Sequence, residues 1–166
     1  MGTYGYISII AMLCYGFLLL MFLTAKKNKI ISESLTVRTS KMLYPLDAVA
    51  ASCLTLAIQR YGQNERTLFS FLHDTASNSI NSFLPNDTTT YNLAVVYDYV
   101  IYNFYTALAE TNLDSTNWRA IRVAIERVES GIINKNNIDD ALKIVKSIGL
   151  LNLFYNGVVV DLAFLE

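Results

Sequence analysis

The first 25 residues, Met1 to Ala25, carry no charged side chain. Ile7 to Leu23 is apolar apart from Ser8 and Gly16, and Lys26, Lys27 and Lys29 follow it at once. A helix rises about 1.5 Å per residue, so about 20 residues cross a hydrocarbon layer about 30 Å thick. Tyr4 to Thr24 fits that length, with Tyr4 and Tyr6 at one interface and the lysines at the other. Three readings of this run stay open: a membrane span, a helix buried in a larger assembly, and a secretory signal. The span ranks first. A signal peptide places its positive charges ahead of the apolar core, and here they come after it. By the positive-inside rule the lysines face the cytoplasm. The chain is therefore expected to be cytoplasmic, or anchored in the inner membrane with its C-terminal domain cytoplasmic.

Only 16% of the 166 residues are charged, against roughly 25% in an ordinary soluble domain. The deficit is largely local. Residues 30–166 hold ten basic and fourteen acidic side chains and are otherwise ordinary in composition. A mildly acidic body offers no general attraction for nucleic acid. Two cysteines cannot build a disulfide framework or fill a four-ligand zinc site.

The body reads as short helices without an internal repeat. Tyr44-Pro45-Leu46-Asp47 predicts a helix start with Pro45 in an early position. Leu46, Val49, Ala50, Cys53, Leu54, Ala57 and Ile58 recur at helical steps up to a stop at Gly62. A second helix fits Asn64 to Leu72, with Leu68, Phe69, Phe71 and Leu72 docking it on the first. Residues 73–90 are rich in Ser, Asn, Asp and Thr and predict a loop with one short turn near Ile80 to Leu84.

Tyr91 to Glu110 predicts the longest helix of the body, its stripe formed by Leu93, Val96, Tyr97, Val100, Phe104 and Leu108. Tyr99, Tyr102 and Tyr105 widen that apolar surface. Ser115 or Thr116 caps the next helix, through Trp118, Ile121, Ile125 and Val128 to Gly131. Asn137 caps a last one, with Asp139 and Asp140 in its first turn, expected to stop at Gly149. Asn156-Gly157 between Leu153-Phe154-Tyr155 and Val158-Val159-Val160 signals a hairpin or tight turn. The expected fold is mainly α: a multi-helix bundle, preceded by a long apolar helix and followed by a small β-hairpin-like element. Its divisions are 1–29, 30–155 and 156–166.

Catalytic signals are weak. No G-x-x-x-x-G-K-[ST] or G-x-S-x-G occurs. His73 is the sole histidine; it precedes Asp74 but has no recognisable nucleophile beside it. Val158-Val159-Val160-Asp161 looks like a metal-holding strand end, yet lacks the phosphate loop that gives such a strand its purpose. Cys14 and Cys53 read as small hydrophobes. Arg119, Arg122 and Arg127 lie among Glu126 and Glu129, a solvated face with one i,i+4 pair between Arg122 and Glu126. Asn86-Asp87-Thr88 is a glycosylation sequon that matters only outside the cytoplasm. The chain is expected not to be an enzyme, and to hold no cofactor or metal. Six of its eleven tyrosines lie within 91–155, where they suit a core or a protein interface.

One segment is more specific. Tyr44-Pro45-Leu46, followed by Arg60-Tyr61-Gly62 and by Gln63-Asn64-Glu65-Arg66-Thr67-Leu68-Phe69-Ser70-Phe71-Leu72, resembles a signature in large bacterial P-loop ATP-binding proteins of AAA-like or signal-transduction type. Some of these stand in settings of phage defence. The resemblance runs over about 33–155, through Val96 to Tyr99, Trp118-Arg119 and Lys143 to Leu153. It implies a helical module downstream of a nucleotide-binding core, here separated from that core, with a winged-helix-like region beginning at 156–166. No ATP-site residue carries over. The acid-proline-histidine group that the family has after this signature is replaced by His73-Asp74-Thr75. The signature residues are Pro45, Leu46, Gln63, Asn64, Glu65, Arg66, Phe69 and Phe71, and the expected partner contacts are Arg66, Tyr99 and Tyr102. The expected function is a relay or scaffold that packs on a protein partner such as a P-loop ATPase domain. The alternative is a single-pass membrane protein whose helical domain binds a partner.

Overall fold

Short polar side chains open several of the helices, and backbone turns close them. A computed structural model describes residues 22–62, 65–73, 78–83, 90–110, 115–131 and 137–155. Over these the protein is mainly α and no strand is formed. The elements are α1 (22–27), α2 (Val37–Lys41), α3 (Ala48–Tyr61), α4 (Glu65–His73), α5 (Leu93–Glu110), α6 (Ser115–Glu129) and α7 (Ile138–Phe154), with a 3₁₀ turn at Ile80–Ser82. Helix α7 packs on α3, α5 and α6, and α5 also meets α3 and α6. The expected apolar helix over residues 4–24 lies outside the described residues except for its last three. Among the described residues no helix is long and apolar enough to cross a membrane.

Helix α1 ends in a Schellman turn. Lys29 takes the left-handed conformation at φ 57, and Ile30 N–H donates to the Ala25 carbonyl at 2.9 Å. Lys29 N–H donates to the Lys26 carbonyl, also at 2.9 Å. This motif satisfies carbonyls that a helix end leaves open, and it pairs an apolar residue after the turn with one inside it. Ile30 and Ala25 are that pair, and both are buried in the main core with Ile31. The described end of the N-terminal segment is thus packed into the body.

Helix α2 opens on a capping box. Thr39 N–H donates to Thr36 Oγ1 at 3.2 Å, and Thr36 N–H donates to Thr39 Oγ1 at 2.9 Å. No residue of α2 is buried.

Helix α3 starts two residues later than the Tyr44-Pro45-Leu46-Asp47 pattern predicts. Asp47 is its N-cap, accepting from Val49 N–H at 2.8 Å and Ala50 N–H at 3.2 Å. A carboxylate on two otherwise orphaned donors defines that end better than Pro45 does. Pro45 sits outside the helix, after a cis peptide bond, and Leu46 pairs with Tyr91 in an isolated parallel bridge. Along α3 the small residues Ala50, Cys53 and Ala57 are completely buried at steps of three and four, so neighbouring helices approach closely.

Helix α4 also departs from expectation. Phe71 is 1% exposed, whereas Phe69 is 63% exposed and Leu68 and Leu72 are also exposed. Side chains at 68, 69 and 72 fall within one 100° arc of a helix, and Phe71 falls to one side of it. Among the described apolar side chains of α4, Phe71 is the one buried in the body, and Asn81 Nδ2 donates to the Leu72 carbonyl at 2.9 Å, tying the end of the helix to the 3₁₀ turn.

The predicted stripe of α5 is buried throughout, from Leu93 to Leu108. Its start is Asn92, whose Oδ1 accepts from Ala94 N–H at 3.0 Å and Val95 N–H at 3.3 Å. Helix α6 stops where glycine was expected, with Gly131 at φ 96. At the start of α7, Asn137 occupies the cap position without a side-chain hydrogen bond.

Gly149 does not stop α7, which continues to Phe154. A Cβ at this position would lie 2.8 Å from Ile121 Cγ1 and 2.9 Å from Ile121 Cδ1 and Cγ2. The glycine lets α6 seat on α7. Leu153 and Phe154 are therefore helical rather than the first arm of a hairpin, and the rest of that expected element, 156–166, lies outside the described residues. Replacing Gly149 with Ala gains about 1 kcal/mol of helix propensity but overpacks Ile121, at a cost of about 1–3 kcal/mol. Urea denaturation should find G149A less stable than the parent. Added I121A should relieve the clash, leaving the double variant more stable than the two single losses add up to.

Candidate docking surface

Tyr91 joins the Pro45–Leu46 segment to α4. It sits immediately before the Asn92 cap and is completely buried. Tyr91 N–H donates to the Pro45 carbonyl at 2.8 Å, and Asp47 N–H donates to the Tyr91 carbonyl at 3.1 Å. Its ring meets Phe71 of α4 edge-on at 5.5 Å and Phe83 at 5.3 Å. Its hydroxyl donates to the Asn78 carbonyl. The backbone of Pro45 and Leu46 and the ring of Phe71 thus converge on one residue, which gives these three positions a structural role. Sequence reading took Tyr91 as a helix start and missed this hub. A signal was present: Tyr91 and Val96 stand at the positions before and four after the Asn92 cap, the spacing of a hydrophobic staple.

Of the other signature positions, Gln63 and Asn64 lie outside the described residues, so the expected corner and its Asn64 cap do too. Glu65 opens α4, and Arg66 is exposed. Phe69 is exposed and stacks on His73 at 4.3 Å and 27°. His73 ends α4 on the surface, while Asp74 lies outside the described residues, so no His–Asp pair is seen. Cys14, the Asn86 sequon and Asp161 also lie outside them. The expected partner contacts separate. Arg66 and Tyr102 are exposed, Tyr102 at 63%, but Tyr99 is 2% exposed. Tyr99 points inward because Phe71, at 5.0 Å, and Phe104, at 5.9 Å, enclose its ring edge-on. It is a core residue, not a partner contact.

Beyond residues 23–44 and the isolated Val123 and Ile144, the outward apolar residues described fall in two groups. One is Leu68, Phe69 and Leu72 on α4, with Arg66 and His73 alongside; the other is Tyr102 and Tyr105 on α5. Tyr102 lies one turn beyond Tyr99, the residue on which Phe71 docks α4.

In the core, four helices each supply one ring to an aromatic cluster. Trp118 of α6 lies 6.1 Å from Tyr61 of α3 and 5.9 Å from Tyr97 of α5, and Tyr61 lies 6.3 Å from Phe154 of α7. Trp118 Nε1–H donates to Tyr61 Oη at 3.2 Å. Lys146 of α7 donates to both carboxylate oxygens of Asp98 on α5, at 2.7 and 2.9 Å, and lies over the Tyr97 ring at 5.7 Å. Both partners of that bridge are partly exposed, so it contributes on the order of 1 kcal/mol. The expected Arg122–Glu126 pair forms at 3.6 Å on the solvated face.

A polar lock holds the other end of the body. Ser52 Oγ and Tyr155 Oη lie 2.7 and 2.9 Å from the Ile30 carbonyl oxygen and 2.7 Å from each other. Two hydroxyl protons serve three oxygen pairs, so two of the three are hydrogen bonds at any instant. The lock floors an open cleft of about 490 Å³ bordered by Lys29, Ser32, Glu33 and Leu56. Its hydroxyls are already engaged with one another and with backbone. Cys53 beside it is buried, and desolvation pushes its thiol up to about 12, the behaviour of an inert core thiol. Among the described residues no group of three His, Cys, Asp or Glu side chains is placed to hold a metal.

No protein-family model, curated protein or solved structure matches the chain.

Two predictions follow from this geometry. Tyr91→Phe leaves the Asn78 carbonyl without its donor and should cost about 1 kcal/mol, whereas Tyr91→Ala empties the hub and should cost about 3–5 kcal/mol; chemical denaturation separates them. The second concerns alkali. Burial is the leading cause that pushes Tyr97 and Tyr155 up to about 12 and Tyr91 above its usual range. Like Cys53, each is neutral when protonated, so the folded chain keeps protons that the unfolded chain releases. The stability they add is complete below about pH 9 and falls as pH passes the ordinary values of 9.0 for Cys and 10.0 for Tyr; for Cys53, Tyr97 and Tyr155 it is lost by about pH 12, and Tyr91 loses its share at higher pH. Melting temperature should therefore be insensitive to these four groups at neutral pH and drop steeply between about pH 9 and 12.

Proposed function

We propose that the chain is a non-catalytic helical module that docks a protein partner, serving as relay or scaffold beside a P-loop ATPase domain. The observation that supports this reading most is α4, which turns Leu68, Phe69 and Leu72 outward on the helix that carries the signature. Large apolar side chains gain about 1.5–3 kcal/mol each on full burial, so three together on a nine-residue helix favour a covered state. Phe71 fixes that helix to Tyr91 and leaves the neighbouring arc turned outward for the partner. Arg66 at its edge suits an acidic group on the partner surface. In this reading residues 156–166 begin a β or winged-helix-like element, and residues 4–24 form an apolar helix.

The alternative, a membrane-anchored protein with the same partner-binding body, is favoured by a separate observation, the charge-free run that ends at Lys26.

The docking reading is tested by Phe69→Ala. It should lower stability by less than about 1 kcal/mol, against about 3–5 kcal/mol for Phe71→Ala. A photo-crosslinking residue at position 69, introduced in the native cell, should capture a protein bearing a P-loop domain, and one at Val123 should not. Titration of the purified chain with ATP and Mg²⁺ should show no binding; micromolar affinity would overturn the non-catalytic assignment.

A further inference from the structure

Charge is segregated along this chain. Residues 22–44 hold five basic side chains, Lys26, Lys27, Lys29, Arg38 and Lys41, against the single acid Glu33. Residues 45–166 hold eight basic side chains against thirteen acidic ones. The first stretch carries a net +4 and the remainder a net −5. The structure keeps the basic stretch on the surface and ties it firmly to the body. Ile30 and Ile31 are buried, and the Ile30 carbonyl is held by Ser52 and Tyr155. Lys26 Nζ donates to the Glu33 carbonyl at 2.7 Å, fastening the end of α1 to the following loop. Lys27, Lys29, Arg38 and Lys41 are exposed. Among them stand exposed apolar side chains: Leu23, Val37, Met42 and Tyr44.

We propose that residues 23–44 form a docking surface for an anionic lipid bilayer, which holds the basic end of the module against the headgroups. This rests on the membrane-anchored reading and names its partner as a lipid surface of negative charge. Three features select that occupant. Basic side chains at a membrane surface are attracted to acidic headgroups. The interleaved Met42, Tyr44, Leu23 and Val37 suit an interface where an apolar body and a polar environment meet. The stretch also continues directly from 25 residues without a charge. At about 0.1 M salt, charge acts over about 10 Å, so the headgroups attract the basic stretch that lies against them.

The test uses the full chain with vesicles of neutral phosphatidylcholine, or of phosphatidylcholine with about one third phosphatidylserine. Cys14→Ser with Met42→Cys carries an environment-sensitive fluorophore at position 42, and the triple variant Lys27→Gln, Lys29→Gln, Arg38→Gln is compared in that background. The expected result is a blue-shifted, quencher-protected label on acidic vesicles only, reversed by 0.5 M salt and lost in the triple variant. At roughly 1 kcal/mol per basic residue, removing three should weaken engagement on the order of 100-fold. A circular-dichroism melt of the triple variant matching the parent shows that folding is intact. If the chain resists alkaline wash but the label reads alike on both vesicles, the anchor stands and the lipid-docking surface is overturned. If the chain floats with neither vesicle, both readings fall. If lipid-free sedimentation shows self-association that the triple variant abolishes, the occupant is a second copy and the proposal is overturned.

Discussion

The close approach of α6 to α7 at Gly149 sets the position of the element on which the body is assembled. Ile121 occupies the space a side chain at 149 would fill. With α7 seated there, Leu150 and Leu151 reach complete burial, Lys146 reaches Asp98, Phe154 reaches Tyr61, and Tyr155 reaches the Ile30 carbonyl. Each contact joins α7 to a different part of the chain. A displaced α7 would disturb them together, because packed interiors transmit small shifts rather than absorbing them.

Apolar burial outweighs the polar contacts in this arrangement. Leu150, Leu151, Val96 and Val100 are completely buried, each worth on the order of 1.5–3 kcal/mol. The partly exposed Asp98–Lys146 bridge contributes on the order of 1 kcal/mol. The polar groups act chiefly by choosing geometry. Asp98 and Lys146 favour one register of α5 against α7. The Trp118–Tyr61 bond orients two rings that would otherwise slide. Ser52 and Tyr155 hold a loop backbone that has no helix to satisfy it. No buried side-chain nitrogen or oxygen among the described residues lacks a partner, so these choices leave no desolvation penalty unmet.

The surface has a different logic. Phe71 commits α4 to the body through Tyr91 and Tyr99, and that commitment turns Leu68, Phe69 and Leu72 away from it. Nearer the N-terminus, the buried Ile30 and Ile31 leave the adjoining lysines at the surface. In both places a buried anchor presents neighbouring side chains outward. The proposed protein-docking and lipid-docking surfaces share this construction.

Periodicity and caps determine much of this protein from sequence alone. The α5 stripe from Leu93 to Leu108 is legible because a helix places residues three and four apart on one face. Gly131 ends its helix as read, since glycine tolerates a φ of 96. Three matters waited for the tertiary structure. Glycine at 149 serves packing rather than termination, and only Ile121 across the interface reveals which. Tyr99 and Tyr102 look alike in a tyrosine-rich helix, but Phe71 and Phe104 cover one and not the other. Pro45, Leu46 and Phe71 lie far from Tyr91 in sequence, and only the fold brings them onto it. Local patterns specify which backbone forms and which face is apolar. Which apolar side chains are actually covered depends on partners distant in sequence, brought near only when the helices pack.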